Sequence, residues 1–507
     1  MIRPILIRNA VVVPDAHTAP LRGGDILVRE GRIAAISKNL SVSADAEIID
    51  GTRLIAIPGF VNAHMHSNEA FEQGAYDNLP LEPWLTMSYP PFGFPELSER
   101  AHYLRGMLCA LESIRSGVTT LQDDLIHPSA TPEGLDGTIA AYRDIGLRAR
   151  VTVSMWNAPM EYGIPFYDEI VPAELRARIA ASPLSSDEAL LALFERHYAR
   201  WHGHDDGRLG LALGPCAPQR CSPELLQTLN RIAAERDLAM HMHVLETKTQ
   251  AITGQVLFGK TLVRHLADLG LLTERLTMNH AIWLTADDIA RMGAAGCSVT
   301  HNPLSNLKLG SGVCPVRALR LAGVNVAVAT DGMATSDTAD QVEALRLAAM
   351  LHKIESFDTS TWLGAKESFE MSTESGAKSC RIGDIGRLAP GMRADIALLD
   401  ADHLGFQPLH DPIRQLCFSV NSEAVRDVLI DGEFVMRDRR MTKIDETAIR
   451  AEIAAEAERF RVEALPKMAE GAAILRPYID AIHARATALA LNPGHDVLRV
   501  PRIGNFG

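Results

Sequence analysis

A chain of 507 residues, 47% of them hydrophobic, has room for one large domain and a smaller one. Its formal charge of −13 leaves no basic excess to meet phosphates, and no run approaches the ~20 apolar residues of a membrane span, so nucleic-acid and membrane partners are excluded. The seven cysteines are scattered without a CxxC pair, which argues for a reduced, cytoplasmic protein and against a cysteine zinc site.

The opening ten residues are too short and too early in charge for a secretory leader and read as a first strand. Further short apolar runs follow at 11–13, 25–28 and 33–36, with turns at Gly23-Gly24 and Glu30-Gly31-Arg32. Residues 386–438 repeat that texture. We therefore expect one small β-sandwich domain built by both chain ends, over residues 1–57 and 386–443.

Between them, residues 58–385 alternate strand-like and helix-like segments, which predicts an α/β architecture with a parallel sheet. Strands are expected at 60–61, 118–121, 148–154, 209–213, 239–243, 276–278, 297–300 and 324–329. Helices are expected at 98–116, 138–145, 187–201, 223–236, 261–269, 285–294 and 341–353. Eight such strands make a (β/α)8 TIM-like barrel. Residues 155–186 carry Trp156, Tyr162, Phe166 and Tyr167 in a connection longer than usual, readable as a cover for the site or as a dimer contact. The tail 444–507 reads as a helical extension broken at Pro466 and Pro477, packed on the barrel or a second subunit, then an extended arm from Asn492.

The chemistry collects where strands end. Phe60-Val61 leads into His64-x-His66, and residues two apart on a strand point the same way, so both imidazoles can grip one metal ion. Leu238-Ala-Met-His-Met-His243-x-x-Glu246 follows. His280 comes after Leu276-Thr-Met-Asn, and Asp331 closes the alternating valines of 324–328. A (β/α)8 barrel places its chemistry at those strand-to-loop junctions. His64, His66, His243 and Asp331 are thus candidate ligands of one divalent metal, with zinc expected and iron the alternative. His241 shares the face of His243 and competes for that role; only the spacing to Glu246 favours His243. A bound metal lowers the pKa of water from about 15.7 to near 7, so a metal-bound hydroxide is available. Glu246 would carry its proton, His280 would polarise the substrate, and Asp331 would also orient the water. The bland alternatives are a helix-N-terminal carboxylate for Glu246 and a core histidine for His280. No lysine lies between Lys38 and Lys248, so no carbamylated lysine can bridge a second ion in that interval.

With these residues assembled, the chain resembles the amidohydrolase superfamily, in the branch of cytosine, guanine and adenosine-type deaminases and triazine hydrolases. The matching stretches are Pro58-Gly-Phe-Val-Asn-Ala-His-Met-His66, Asp77-Asn-Leu-Pro-Leu81 with Trp84, Ser116-Gly-Val-Thr-Thr120, His243-Val-Leu-Glu246 and Asn279-His280. They continue with His301-Asn-Pro-Leu-Ser-Asn-Leu-Lys-Leu-Gly-Ser-Gly312, Ala329-Thr-Asp-Gly332 and Gly391-Met-Arg-Ala-Asp395. The resemblance implies a mononuclear zinc or iron enzyme, with His64, His66, His243 and Asp331 as ligands and Glu246 and His280 catalytic. It also suggests Trp84, Cys216, His301 and Asn302 as substrate contacts, with a heterocyclic small molecule and water as partners and a homodimer or larger assembly. Two substrate-contacting stretches depart from the relatives that deaminate S-adenosylhomocysteine and methylthioadenosine. Their Pro-His-Ala-Pro-Tyr-Thr-Cys-Ser is Pro215-Cys-Ala-Pro-Gln-Arg-Cys-Ser222 here, and their Trp-Pro-x-Glu is Pro90-Pro-Phe-Gly93. Both changes count against a nucleoside carrying its ribose. The expected reaction is hydrolytic deamination of an aromatic N-heterocycle of purine, pyrimidine, pterin or triazine type. The alternatives are displacement of chloride or a substituted amine from a triazine, hydrolysis of a cyclic amide or urea, and a non-catalytic scaffold.

Overall fold

The computed structural model describes residues 3–126, 130–158, 163–181, 184–354 and 356–491. Numbered in chain order, the strands are β1 Ile5–Val12, β2 Leu21–Arg29, β3 Arg32–Ser37, β4 Glu47–Asp50, β5 Leu54–Pro58, β6 Phe60–Met65, β7 Val118–Leu125, β8 Arg148–Met155 and β9 Leu209–Pro215. They continue with β10 Met240–Val244, β11 Leu276–His280, β12 Ser298–His301, β13 Asn325–Val328, β14 Ile396–Asp400, β15 Val425–Ile430, β16 Glu433–Arg437 and β17 Arg440–Met441.

Strands β6 to β13 pair in sequence order as one eight-stranded sheet. Their residues are buried almost throughout, as expected of parallel strands with helices on one face and a packed interior on the other. The first and last strands meet. Asn62 Nδ2 donates to Thr330 Oγ1 at 2.8 Å, the Thr330 N–H donates to Asn62 Oδ1 at 3.1 Å, and the Asp331 N–H donates to the His64 carbonyl at 3.1 Å. The sheet is therefore a barrel, and its seam lies at the candidate ligands.

The sequence marks the helix ends. Ser98, Thr131, Ser186, Ser222, Thr247, Thr261 and Thr285 each accept a backbone N–H at a helix N-terminus. The cap at Thr131 starts its helix at Pro132, earlier than the apolar pattern suggests, because proline is at home in a first turn.

Both chain ends build a second, nine-stranded sheet along the path β17-β16-β15-β14-β5-β1-β2-β3, with β4 on β1. A buried ion cluster ties it to the barrel floor: Arg148, at the start of β8, is fully buried and lies 2.9 Å from Asp395 and 2.6 Å from Asp431.

The tail differs from expectation. Helix Glu446–Arg459 runs through a π-helical turn, Phe460–Ala464, into helix Leu465–Ala488 without a break. Pro466 directly follows the π-helical turn Phe460–Ala464, and Pro477 is carried inside the helix. This last helix lies on the barrel's C-terminal side. Its Leu475, Ile479 and Ile482 bury against Tyr167 and Val171 of the aromatic insertion. It crosses the 90–94 loop at backbone contact, since a Cβ on Gly471 would sit 1.8 Å from the Phe92 carbonyl oxygen. Tyr162 and the arm from Asn492 lie outside the described residues. No helix among the described residues is long and apolar enough to cross a membrane.

Candidate metal centre

Three imidazoles and a carboxylate converge at the barrel mouth. His64 and His66 come from the end of β6, His243 from β10, and Asp331 from just beyond β13. Asp331 Oδ1 is 3.4 Å from both His64 Nε2 and His66 Nε2, and His243 Nε2 is 3.3 Å from His66 Nε2. Two ligands at 2.0–2.1 Å from a tetrahedral ion lie about 3.3–3.4 Å apart, so the spacing fits a divalent metal held between them. The donor atoms fall into two overlapping groups, His64–His66–His243 and His64–His280–Asp331, each within 4.8 Å. Both nitrogens of His64 are buried without a hydrogen-bond partner among the described residues, which suits a ring whose lone pair awaits a cation.

The far sides of the rings are held by backbone. His66 Nδ1 meets the Asp124 carbonyl at 2.7 Å and His243 Nδ1 the Cys216 carbonyl at 3.1 Å. Each Nδ1–H is thereby spent on a carbonyl, turning the Nε2 lone pair toward the cluster. The rings differ in their electrostatics: burial above all lowers His64 to about 4 and His243 well below its ordinary value, whereas His66 is raised. Burial alone would lower His66, but Glu69, Asp331 and Asp124 outweigh it and push it up to about 9. His241 is fully buried and belongs to neither donor group. It sits two residues back on β10, about 6.6 Å deeper along the same face.

Glu246 and His280 stand beside the cluster. Glu246 is buried, with its Oε2 3.5 Å from His280 Nε2, and His280 Nε2 is 3.8 Å from Asp331 Oδ2. Burial pushes the Glu246 carboxyl well above its ordinary range, and the charges of Asp331, Glu82 and Glu69 add to this. His280 Nδ1 meets Asn306 Oδ1 at 2.9 Å, and burial lowers its pKa while Asp331 and Asn306 oppose that. Ser305 donates to Asp331 Oδ2 at 2.5 Å. The rim is conformationally costly: Leu245, His280, Ala281 and Asp331 all take positive φ, between 48° and 70°. Such backbone at non-glycine residues is typical of functional sites, where packing overrides local preference.

The expected substrate contacts separate. Asn302 reaches the cluster, its Nδ2 3.2 Å from His280 Nδ1. Trp84 is buried against Leu309 and Ala334, with its Nε1 unpartnered among the described residues. Cys216 contributes its carbonyl to His243, and burial pushes its thiol up to about 11. His301 turns toward His352, with the two Nε2 atoms 3.3 Å apart. Strand alternation explains this: Thr300 points inward and donates to Asn279 Oδ1 at 3.0 Å, so its neighbour faces the outer helices.

Residues that sequence reasoning missed complete the wall. Glu69 is buried, accepts the Tyr89 hydroxyl at 2.9 Å and the Ala334 N–H at 3.3 Å, and is pushed up to about 8 by burial, with Asp331 and Glu72 adding and His66 opposing. A Cβ on Gly332 would lie 1.9 Å from Glu69 Oε2, so any larger residue after Asp331 would have to displace that carboxylate. Asp124, Ser305 and Asn306 were missed for the same reason: their partners are distant in the chain.

Comparison with known proteins agrees with this geometry. Residues 55–435 match the amidohydrolase family. The chain is 31% identical over 449 residues to a 5'-deoxyadenosine deaminase of Methanosarcina barkeri, covering 88% of this chain and 95% of that protein. It is 33% identical over 437 residues to a 5-methylthioadenosine/S-adenosylhomocysteine deaminase of Thermococcus kodakarensis, covering 85% and 94%. Among solved structures, an adenosine deaminase from Xanthomonas campestris with bound zinc superposes with a TM-score of 0.79 at 28% identity, covering 90% of this chain and 98% of that one. An atrazine chlorohydrolase from Arthrobacter aurescens complexed with zinc gives 0.79 at 26% identity, covering 89% and 100%. The donor spacing, the eight-stranded barrel and these matches together establish the family: the chain belongs to the amidohydrolases.

Proposed function

We propose that this protein is a hydrolytic deaminase of an aromatic N-heterocycle, working with one divalent ion, zinc, held by His64, His66, His243 and Asp331. The observation that carries the reading is the convergence of those donors beside the buried Glu246–His280 pair. A divalent ion in such a site supplies a Lewis acid that brings water's pKa from about 15.7 to near 7. The protein's own groups do the rest. Asp331 orients the attacking water. Glu246, in its ionised form, takes one proton from the attacking water and gives it to the ring nitrogen, a return that its raised pKa favours; the proton of the new C–OH then passes through the same carboxylate to the leaving amine. His280, its Nδ1 occupied by Asn306, presents Nε2 toward the reacting carbon's oxygen. Ammonia leaves as the ring regains its aromaticity. The deaminase relatives support this choice of leaving group.

The likeness to an atrazine chlorohydrolase favours one second reading, displacement of chloride or a substituted amine from a triazine by the same addition and elimination. In this proposal residues 58–385 are the catalytic unit, with 1–57 and 386–443 as a supporting domain. The cytoplasmic setting rests on the cysteine pattern alone, and a homo-oligomeric state on the surface offered by the C-terminal tail.

The test is elemental analysis of purified protein together with product release from 5'-deoxyadenosine, adenine, guanine, cytosine, pterin, melamine and a chlorotriazine. About one zinc per chain and ammonia release are expected. Chloride release without ammonia would favour the second reading. A metal-free or two-metal protein inert on every compound would overturn both.

A further inference from the structure

The family match ends at residue 435, yet the helix Leu465–Ala488 reaches back to the barrel mouth. It touches both sides of the turn that carries Glu246. On one side, His483 Nδ1 meets Glu82 Oε2 at 2.9 Å, and Glu82 Oε1 accepts the Thr247 hydroxyl at 2.5 Å. On the other, the Lys248 ammonium donates to the Thr487 carbonyl. Thr247 is the N-cap of the helix Lys248–Phe258, its Oγ1 accepting the Gln250 N–H at 3.1 Å. Gln250 closes the circuit, with Oε1 accepting the Glu246 N–H at 2.8 Å and Nε2 donating to the His243 carbonyl at 3.2 Å. A continuous run of hydrogen bonds thus links the C-terminal helix to the backbone of Glu246.

The turn needs such support. Leu245 is held at φ 55°, a left-handed value costly for a branched side chain, so the conformation aiming Glu246 is not one the local sequence prefers. Glu82 is well shielded, with 13% of its side chain exposed. Its carboxylate is hydrogen-bonded by Thr247 and His483, one from each flank. A buried carboxylate is retained when its partners are fixed, and here they are the two elements that must keep register.

We propose that Glu82, clamped by His483, is a positioning residue for the acid/base Glu246, so that the C-terminal extension beyond the family-matched residues forms part of the catalytic apparatus. The inference rests on the proposed acid/base role of Glu246. Glu82 touches no reacting atom; it fixes Thr247, and through it the angle at which Glu246 meets the substrate. Misplacement of a catalytic group by about 1 Å can cost on the order of 10²-fold in rate.

The experiment compares wild type with Glu82→Ala, His483→Ala and His483→Asn, using the best substrate of the panel above. Asparagine places an amide N–H near the position of the imidazole Nδ1 and serves as the conservative rescue. Expected are losses of about 10- to 100-fold in kcat for both alanine variants, with KM and one metal per chain unchanged, and recovery of most of the rate by His483→Asn. Unchanged kcat in both alanine variants would overturn the inference. So would a loss that appears in KM or metal content, or a loss of fold or rate that asparagine does not restore. A wild type inert on the whole panel would overturn the deaminase reading and this inference with it, whereas an active wild type with indifferent variants overturns the inference alone.

Discussion

Replacing Glu246 by glutamine is the sharpest probe of the proposed chemistry. The residue is 5% exposed, and glutamine fills the same volume. Its backbone anchor, the N–H to Gln250 Oε1 at 2.8 Å, is untouched by the change. Glu246 belongs to neither donor group, so metal content should stay at wild type. Burial opposes the ionised carboxyl, so a neutral amide of the same shape should not lower stability by more than about 1 kcal/mol. The rate should behave otherwise. A positioned acid/base contributes about 10²–10⁴-fold, or about 3–5 kcal/mol of barrier. Steady-state ammonia release, elemental analysis and a thermal melt on the same preparation separate the three quantities. A kcat within about threefold of wild type, with metal and melting temperature retained, would refute the assignment of Glu246.

The register of β10 is open to a paired test: His243→Ala should lose the metal on gel filtration while His241→Ala keeps it, and the reverse outcome would move the ligand two residues down the strand. His102 supplies a pH prediction. Burial, then the charge of Arg105, lowers its pKa to about 3 from 6.5, so the unfolded chain binds the extra proton and stability is lost as pH falls below 6.5. Between pH 8 and pH 5 that group alone should cost about 2 kcal/mol in urea unfolding, and His102→Gln should lose correspondingly less than wild type over that interval; equal losses in the two proteins would rule this out. Gly471→Ala places a Cβ 1.8 Å from a backbone oxygen that cannot rotate away, and should destabilise by about 1–3 kcal/mol. An unchanged unfolding midpoint would mean that the crossing is looser than described.

Much of the barrel was legible because its strands are short apolar runs closed by a polar residue, as in the valines before Asp331. The histidines of β6 hid part of their own strand: an apolar count stops at Val61, whereas the ladder continues to Met65. The helix Lys248–Phe258 escaped because Thr249, Gln250 and Thr253 are buried alongside its apolar residues, leaving no clean stripe to read. Pro477 was read as a break because local propensity could not weigh the packing of Leu475, Ile479 and Ile482. His301 shows the opposite error. Alternation along β12 would have turned it outward, but the resemblance drew it into the pocket. Glu69 and Asp124 left no local trace, since their significance lies in Gly332, Tyr89 and the ring of His66, all contributed by other parts of the fold.

The place where the cylinder closes has a bearing on how the enzyme matures. Its first stave supplies two imidazoles and its last the carboxylate, and the Asp331 amide is stitched directly to the His64 carbonyl. A nascent chain lacking residues beyond about 325 carries every histidine of the cluster but not Asp331, so the full donor set exists only once about two-thirds of the chain has been made. An ion held by the proposed ligands would rivet the two lips together and add its own binding free energy to the shut form. Stripping it with a chelator should therefore loosen the molecule first along that single line, before the remaining staves part.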